Sequence, residues 1–243
     1  MIGNPFVILS SVDSTNNYAM KEARNGNITD GTVFFALEQT KGKGQRSKNW
    51  VSNRGENILM TVVIDCKALQ LHQQVLLSFA VALASNNMLK NHTNGETSIK
   101  WPNDLYWCDR KAGGILIENI VLGNNWTYAI IGIGINVNQT AFEKLEKPTV
   151  SLKQITGITF DPILLAKELC KELEQTLKDV KANPELLLKD YNESLYKRGQ
   201  QAKLKQGNIL FEATIKGVNE KGQLLISQGH ERTVDFGEIE WII

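Results

Sequence analysis

The chain has 243 residues, of which 42% are hydrophobic and 22% are charged, a composition typical of a globular protein with one full core and a smaller unit. Its net charge of +1 excludes a strong overall field toward nucleic acid or an anionic membrane. The N-terminus lacks a basic region and its apolar run stops after Leu9, which excludes a secretory signal or a membrane span. We therefore expect a cytoplasmic protein, and the scattered cysteines provide no zinc ligand set.

Residues 1–137 are predicted to form a sheet with helices packed against it. Runs of β-branched and aromatic residues predict strands, and apolar residues at helical spacing predict helices. The predicted strands are 6–9, 32–38, 57–65, 98–101, 104–107, 111–119 and 126–137, and the predicted helices are 14–25 and 71–92. Three consecutive strands joined by short turns favour an antiparallel meander over a doubly wound parallel sheet. The predicted fold class is α+β.

The last third of the chain changes from helices to short strands. Asp161 followed by Pro162 is a favourable helix start, and Pro184 opens a second helix predicted through Tyr196. After Arg198, short strands at close intervals are separated by glycines, which indicates a small β-barrel. A unit of about 45 residues is near the lower limit for independent folding, so we expect it to lean on the larger domain. The predicted domains are 1–197 and 198–243.

The segment QTKGKGQRSKNW, residues 39–50, is the first candidate for ligand binding. Gly42 and Gly44 alternate with cations, namely Lys41, Lys43, Arg46 and Lys48. Glycines leave backbone NH groups unobstructed, and together with the positive charges they suit a phosphate. The alternative is a solvated, mobile surface loop.

The segment KWPNDLYWCDRKAGGILIE, residues 100–118, is the second candidate. Lys111 precedes the double glycine Gly113 and Gly114, which places a cation where a backbone can approach a ligand closely. Ser14, Thr15 and Cys108 have no histidine nearby in sequence, so covalent catalysis has no visible support, and Ser14 is interpreted first as a helix cap. The modes of catalysis that remain are positioning of the reactants and electrostatic stabilisation of a phosphoryl or acyl centre.

The segment GIGIN, residues 132–136, is not a dinucleotide fingerprint. Its third glycine position holds Val137, and no helix is predicted to follow. The glycines are interpreted as letting a strand pass close to another backbone or to a ligand, with Asn136 and Asn138 as candidate amide partners for a base.

These motifs occur in a family-specific order. DSTN at residues 13–16, the basic loop, KWPND with Lys111, GIGIN, and a terminal barrel that ends in GEI together resemble the biotin protein ligase family over essentially the whole chain. The resemblance implies a class II synthetase-like catalytic domain with a mixed, largely antiparallel sheet, followed by an SH3-like β-barrel. It also implies no N-terminal DNA-binding domain here, because the chain starts at its catalytic strand, and so we expect no DNA binding.

The resemblance implies a two-step reaction that uses biotin, ATP and Mg²⁺. Biotin and ATP give biotinyl-5'-AMP and pyrophosphate, and a lysine of a biotin carboxyl carrier domain then takes the biotin. The implied catalytic residues are Lys111, Arg46, Lys43 and Asp104. Lys111 is expected to hold the biotin carboxylate and the α-phosphate, and Asp104 to serve the metal or the incoming lysine. Cations are needed there because a carboxylate attacking a phosphate brings two anions together.

The resemblance also implies binding roles for further residues. The polar ureido end of biotin needs hydroxyl and amide partners, and the matching residues are Ser14, Thr15, Asn16 and Gln39. The remaining implied contacts are Gly42 and Gly114 with the apolar part of biotin, Gly44 and Gln45 in the phosphate loop, Asn103 and Asn136 with adenine, and Trp50 as a cover. A homodimer is a further implication, and we hypothesise that strand 111–119 or its neighbour forms the paired edge.

The basic loop departs from the commoner family pattern, which resembles GRGRRGRKW. Lys43 and Gln45 replace arginines and Ser47 replaces a glycine. Because arginine is a planar bidentate partner and lysine a point charge, we expect either looser retention of the adenylate or a shift of this role onto Arg46. Two other functions stay open from the sequence: a lipoate or octanoate ligase or transferase, and a module that binds RNA or protein through the barrel and the basic loop.

Overall fold

A seven-stranded sheet forms the body of the protein. The computed structural model describes residues 1–123, 125–142 and 148–242. The strands are β1 (Phe6–Leu9), β2 (Val33–Ala36), β3 (Ile58–Asp65), β4 (Thr97–Lys100), β5 (Asp104–Trp107), β6 (Arg110–Leu122) and β7 (Asn125–Ile135). Their order in space is β1-β2-β3-β7-β6-β5-β4, with β1 and β2 parallel and every other neighbouring pair antiparallel. The mixed, largely antiparallel sheet is therefore confirmed.

Helices cover this sheet. They are α1 (Thr15–Arg24), α2 (Gln74–His92), α3 (Leu152–Thr156), α4 (Pro162–Ala182) and α5 (Pro184–Glu193). The start of α4 is as predicted, because the Asp161 side chain accepts hydrogen bonds from the amides of Ile163 and Leu164. Among the described residues, no helix combines the length and the apolar character needed to cross a membrane.

The short helix α3 was not predicted from the sequence. It begins at a capping box in which Ser151 accepts a hydrogen bond from the Gln154 amide and Gln154 reaches back to the Ser151 amide. The Ser-x-x-Gln spacing was the available signal, but five residues are too few to show an apolar period.

The hypothesis that strand 111–119 or its neighbour forms a sheet edge is wrong. The observed strand β6 pairs with β5 on one side and β7 on the other, and β5 and β7 are themselves interior. Only β1 and β4 end the order of this sheet. The sequence pattern identified the strand but not its neighbours, because its apolar residues fit an interior and an edge position equally well.

A second, five-stranded antiparallel sheet follows α5. Its strands are β8 (Gln201–Gln206), β9 (Ile209–Val218), β10 (Leu224–Gln228), β11 (His230–Val234) and β12 (Glu240–Ile242), in the order β11-β10-β9-β8-β12. This arrangement fits the expected SH3-like unit. Ile243, the last residue of the predicted final strand, lies outside the described residues.

The second sheet packs on the first body, as expected for a unit too small to bury its own core. The Trp101 indole nitrogen donates a hydrogen bond of 2.9 Å to the Gly222 carbonyl. From α5, the Asn192 side chain accepts from the Val218 amide at 2.6 Å and donates to the Val218 carbonyl at 2.9 Å. One continuous cluster of buried side chains runs through both parts. The boundary predicted at residues 197 and 198 stays a prediction.

The two hydrogen bonds between the Asn192 side chain and the Val218 backbone, here called the Asn192 clamp, give a stability prediction. We expect Asn192→Ala to lower the free energy of unfolding by about 2 to 4 kcal/mol, since it leaves the buried Val218 amide and carbonyl without partners. Urea unfolding followed by circular dichroism measures this change. Asn27→Ala, which removes an exposed amide bonded to Glu22, is the control and should cost under about 0.5 kcal/mol. Equal losses in the two variants would contradict the clamp.

Candidate active site

A cavity of about 500 Å³ lies between the two sheets and gathers most of the predicted site residues. Its walls come from the start of α1, the basic loop, β3, the β4–β5 turn, β6, β7, strand β12 and residues 236, 237 and 239 before it. The predicted residues among its lining are Ser14, Thr15, Asn16, Gln39, Lys43, Gly44, Gln45, Arg46, Trp50, Asn103, Asp104, Lys111 and Gly114. Segments far apart in sequence therefore meet at one place.

The structure does not bring Gly42 and Asn136 into this lining. Gly42 lies against the backbone of Trp50, whose amide donates to the Gly42 carbonyl at 2.9 Å, and a Cβ at Gly42 would collide with the Trp50 carbonyl. The Asn136 side chain is buried and donates to the Val150 carbonyl at 3.2 Å and the Lys111 carbonyl at 3.4 Å. Both residues shape the backbone around the cavity instead.

The polar end of the cavity, called the closed end below, is lined by Thr15, Asn16 and Gln39, whose hydrogen bonds extend to Thr61 and Glu118 outside the lining. The Gln39 side-chain oxygen accepts from the Thr15 amide at 2.8 Å and the Thr15 hydroxyl at 3.0 Å. The Thr61 hydroxyl lies 2.8 Å from the Thr15 hydroxyl and donates to Asn16 Oδ1 at 2.6 Å. Asn16 Nδ2 donates to Glu118 Oε2 at 2.8 Å. This end suits an uncharged ring with donors and acceptors.

Thr61 and Glu118 were missed from the sequence. Thr61 is a buried polar residue inside the apolar strand β3, and Glu118 is the last residue of the second candidate segment. Glu118 joins two parts of the site, because its other oxygen, Oε1, lies 3.4 Å from Lys43 Nζ in the basic loop.

Ser14 does not act as the helix cap that the sequence favoured. It occupies the N-cap position of α1, but its side chain makes no capping hydrogen bond. The residue is buried and lines the cavity. Its hydroxyl is therefore placed for a ligand.

Lys111 is held by a carboxylate at the cavity wall. Its Nζ lies 2.6 Å from Asp104 Oδ1, and the second carboxylate oxygen lies 3.8 Å from Nζ of Lys100.

Two neighbours of this pair are also fixed by their surroundings. Burial, with a smaller contribution from the Asp104 charge, raises the pKa of the Tyr106 hydroxyl above its ordinary value. Asn103 supports the turn between β4 and β5, since its side chain donates a hydrogen bond to the Ile115 carbonyl at 2.7 Å.

The glycines of GIGIN allow the close approach that the sequence indicated. Gly134 is paired in register with Gly114, and the Trp50 indole lies over both. A Cβ at Gly134 would lie 2.7 Å from Trp50 Cε2, and a Cβ at Gly132 would lie 2.9 Å from Asn16 Cγ. Gly132 and Gly134 thus form a floor of the cavity that has no side chains, and Asn16 and Trp50 pack directly on its backbone.

The basic loop folds back on itself above this floor. Lys43 and Asn49 form an antiparallel bridge, and the Gly44 amide donates to the Lys48 carbonyl at 2.7 Å. Arg46 adopts a left-handed backbone conformation with φ of 53°, and its guanidinium lies 5.0 Å from the centre of the Phe236 ring. The C-terminal sheet therefore contacts the loop, a long-range contact that the sequence did not predict.

The cysteines are separate from this cavity, and its described lining contains no cysteine or histidine. Burial raises the pKa of the Cys66 and Cys170 thiols to about 12, so both stay protonated. Cys108 is exposed and lies outside the lining. The chemistry that the cavity supports is positioning and charge stabilisation by Lys43, Arg46 and Lys111.

The sequence model that describes the biotin/lipoate A/B protein ligase family matches residues 8–136, more than half of the chain. The chain belongs to this family. The matched range contains DSTN, the basic loop, KWPND with Lys111, and GIGIN.

Curated relatives of this ligase-family chain include the Escherichia coli bifunctional ligase/repressor BirA, which is 31% identical over an alignment of 183 residues; the match covers 72% of this chain and 54% of that protein. The chain spans about half the length of that relative. The Mycobacterium tuberculosis biotin--[acetyl-CoA-carboxylase] ligase is 27% identical over an alignment of 232 residues, and the match covers 93% of this chain and 85% of that protein.

Solved structures confirm the fold of the ligase-family chain. The biotin protein ligase from Aquifex aeolicus in complex with biotin and ATP superposes with a TM-score of 0.80 at 27% identity, covering 97% of each chain. A Leishmania major biotin protein ligase in complex with biotinyl-5-AMP is similar in fold, with a TM-score of 0.65 at 23% identity, covering 94% of this chain and 97% of that one. The α+β body and the C-terminal sheet are both within these matches.

Proposed function

We propose that the protein is an ATP-dependent biotin protein ligase. One observation carries the proposal: a single cavity joins a neutral polar end, built on Thr15 and Asn16, to a cationic end formed by the basic loop and Lys111. Biotin has matching ends, an uncharged ureido ring and a carboxylate. ATP supplies the phosphates that glycine-rich cationic loops favour.

In the first step, a biotin carboxylate oxygen attacks the α-phosphorus of ATP. The bond from the α-phosphorus to the bridging oxygen breaks, and pyrophosphate leaves. Two anions approach each other, so cations on the cavity wall lower the barrier. Lys111, with its Nζ at the cavity beside Gly114, is the residue we assign to the carboxylate and the α-phosphate. Lys43 and Arg46 are assigned to the remaining phosphate charge.

In the second step, the neutral amine of a carrier-domain lysine attacks the acyl carbon. An amide bond forms, the bond from the acyl carbon to the phosphate oxygen breaks, AMP leaves, and the proton lost by the amine passes to solvent. Asp104 faces the cavity and is the carboxylate we assign to the incoming lysine or to the metal. Mg²⁺ binds oxygen ligands and is commonly held by one or two carboxylates with substrate phosphates. Asp104 fits that donor type, and the ion would neutralise phosphate charge.

The polar end favours biotin over lipoate or octanoate, the alternative substrates. The Thr15, Gln39, Thr61 and Asn16 network offers hydroxyl and amide groups with which a ureido ring can form hydrogen bonds. A plain acyl chain has no donor or acceptor to offer them, so it is the poorer match.

Pyrophosphate release tests the proposal. The protein is incubated with Mg-ATP and, separately, with biotin, lipoate and octanoate, and biotinyl-5'-AMP is sought by mass spectrometry. We expect release with biotin, and biotinylation when a biotin carboxyl carrier domain is added. Release with lipoate or octanoate alone would overturn the biotin assignment, and no release with any acid would overturn the ligase assignment.

Gln45 gives a prediction about adenylate retention. We expect Gln45→Arg to slow the release of biotinyl-5'-AMP several-fold, because a guanidinium at this cavity position can bind a phosphate through two hydrogen bonds. The measurement is the rate at which preformed adenylate leaves the protein when no acceptor is present. Gln200→Arg adds the same charge at an exposed position away from the cavity and should change nothing. Unchanged or faster release from Gln45→Arg would contradict the prediction.

A biotin carboxyl carrier domain is the protein partner we propose. The expected homodimer and the expected lack of DNA binding stay predictions, checked by light scattering with and without biotin and ATP, and by a shift assay at moderate salt. The cytoplasmic location also stays a prediction.

A further inference from the structure

We propose that Lys100 is a positioning residue for this reaction. It keeps the Asp104 carboxylate paired and in place while Lys111 leaves Asp104 for the reacting anions. The inference rests on the proposed function and deepens it, since neither the basic loop nor Lys111 explains why a lysine is buried beside them.

Lys100 is placed by backbone pairing and not by a flexible loop. It ends β4, and in the β4–β5 hairpin it lies directly opposite Asp104. Its side chain is 3% exposed, which is rare for a lysine and requires a charge partner. Its Nζ lies 3.8 Å from Asp104 Oδ2, whereas the 2.6 Å contact of Lys111 is with the other carboxylate oxygen, Oδ1.

Two aromatic rings surround the same ammonium group. The Nζ of Lys100 lies 5.1 Å from the centre of the Tyr106 ring and 5.4 Å from the centre of the Trp241 ring. Both distances are within the range of cation–π attraction, which strengthens when the cation is desolvated. Tyr106 lies in β5 and Trp241 in β12, so the C-terminal sheet contributes one wall of this cation site.

The two lysines differ in their freedom to move. Lys111 is 25% exposed and contacts Asp104 at 2.6 Å, whereas Lys100, which also lines the cavity, is 3% exposed. When anionic groups enter the cavity and draw Lys111 toward them, Asp104, itself 13% exposed, must not be left as an uncompensated buried charge. Lys100 supplies the remaining positive charge. The carboxylate then keeps the orientation that the second step needs.

A double-mutant cycle tests this role. Lys100→Met, Asp104→Asn and the double variant are compared by the rate of biotin transfer to a carrier domain in the presence of biotin and Mg-ATP, because the second step is the one that needs the Asp104 carboxylate. Methionine preserves the length of lysine and removes its charge. We expect Lys100→Met to lower kcat at least 10-fold, with a smaller change in KM for biotin, since a charge-assisted contact is lost. The double variant should be no slower than Asp104→Asn alone, because Lys100 acts through that carboxylate.

The matched control is Lys197→Met. Lys197 also lies near an aspartate, Asp109 at 3.7 Å, and near an aromatic ring, Tyr196 at 5.3 Å, but it does not line the cavity. It should keep wild-type kcat. If losses from Lys100→Met and Asp104→Asn multiply in the double variant, or if Lys100→Met keeps wild-type kcat, the inference is overturned.

A second pair of variants covers the case in which Lys100→Met does not fold. Trp241→Phe keeps an aromatic ring beside Lys100 and should retain most of the activity, whereas Trp241→Leu should lower kcat several-fold. Equal activity in these two folded variants would overturn the role assigned to the ring and the ammonium. Failure of wild-type protein to release pyrophosphate with biotin is a different result, since it removes the proposed function itself.

Discussion

Replacing Lys111 by methionine is expected to lower the rate of biotinyl-5'-AMP formation by about 10²- to 10³-fold, the usual effect of removing one preorganised group that stabilises transition-state charge. Its Nζ stands between Asp104 and the glycine floor at Gly114, where the carboxylate of biotin and the α-phosphate would meet. Methionine matches the side-chain length but carries no charge. The measurement is single-turnover formation of adenylate from biotin and Mg-ATP.

Two control variants make this result specific to Lys111. Lys67→Met removes an ammonium that is also paired with an aspartate, Asp65 at 3.0 Å, but on the exposed surface. It should keep the wild-type rate, because exposed pairs contribute little. Lys111→Arg keeps the charge and should retain more activity than Lys111→Met. If Lys111→Met forms adenylate at the rate of the Lys67 variant, Lys111 does not have the role assigned to it.

Adding one methyl group at Gly132 is expected to weaken biotin binding by at least 10-fold and to lower the free energy of unfolding by about 1 to 3 kcal/mol. The Cβ of alanine would lie 2.9 Å from Asn16 Cγ. Gly132 pairs in register with Thr61 on one side and Leu116 on the other, and Asn16 hydrogen-bonds to both of these residues. Displacing Asn16 therefore breaks the polar network at the closed end.

A double variant separates the two effects of Gly132→Ala. In Gly132→Ala with Asn16→Ala, the side chain that collides is absent, so stability should equal that of Asn16→Ala alone. Biotin binding should stay weak, since the amide is missing. Isothermal titration calorimetry and urea unfolding measure the two quantities. If Gly132→Ala binds biotin with wild-type affinity, the lack of a side chain at residue 132 is not what holds Asn16 in place.

Local patterns in the sequence predicted the elements and the residues that carry charge. The β-branched runs located the seven strands of the first sheet, and the glycine-cation alternation located the loop that contributes Lys43 and Arg46 to the cavity. Lys111 was predicted because it is a cation next to a double glycine, where a backbone can approach a ligand, and its specific role came from the family resemblance. These features depend on neighbours in sequence.

Features that depend on distant contacts were not predicted. Nothing near residues 236–242 shows that they line the cavity, because the C-terminal sheet reaches it only through long-range packing. Asn136 and Asn138 are equally polar in sequence, yet Asn136 turns to the Val150 carbonyl and Asn138 to the Phe160 carbonyl. An amide side chain can satisfy either a ligand or a backbone, and only the surrounding fold decides between them.

Glu118 has a thermodynamic consequence that extends over the whole cavity. One of its oxygens accepts from Asn16, at the end assigned to the ureido ring, and the other pairs with Lys43, in the loop assigned to phosphate. We expect a ligand that changes either contact to change the free energy of the other, which would couple the affinities for acid and nucleotide through one carboxylate. Such coupling is reciprocal: whatever factor biotin applies to ATP affinity, ATP must apply to biotin affinity.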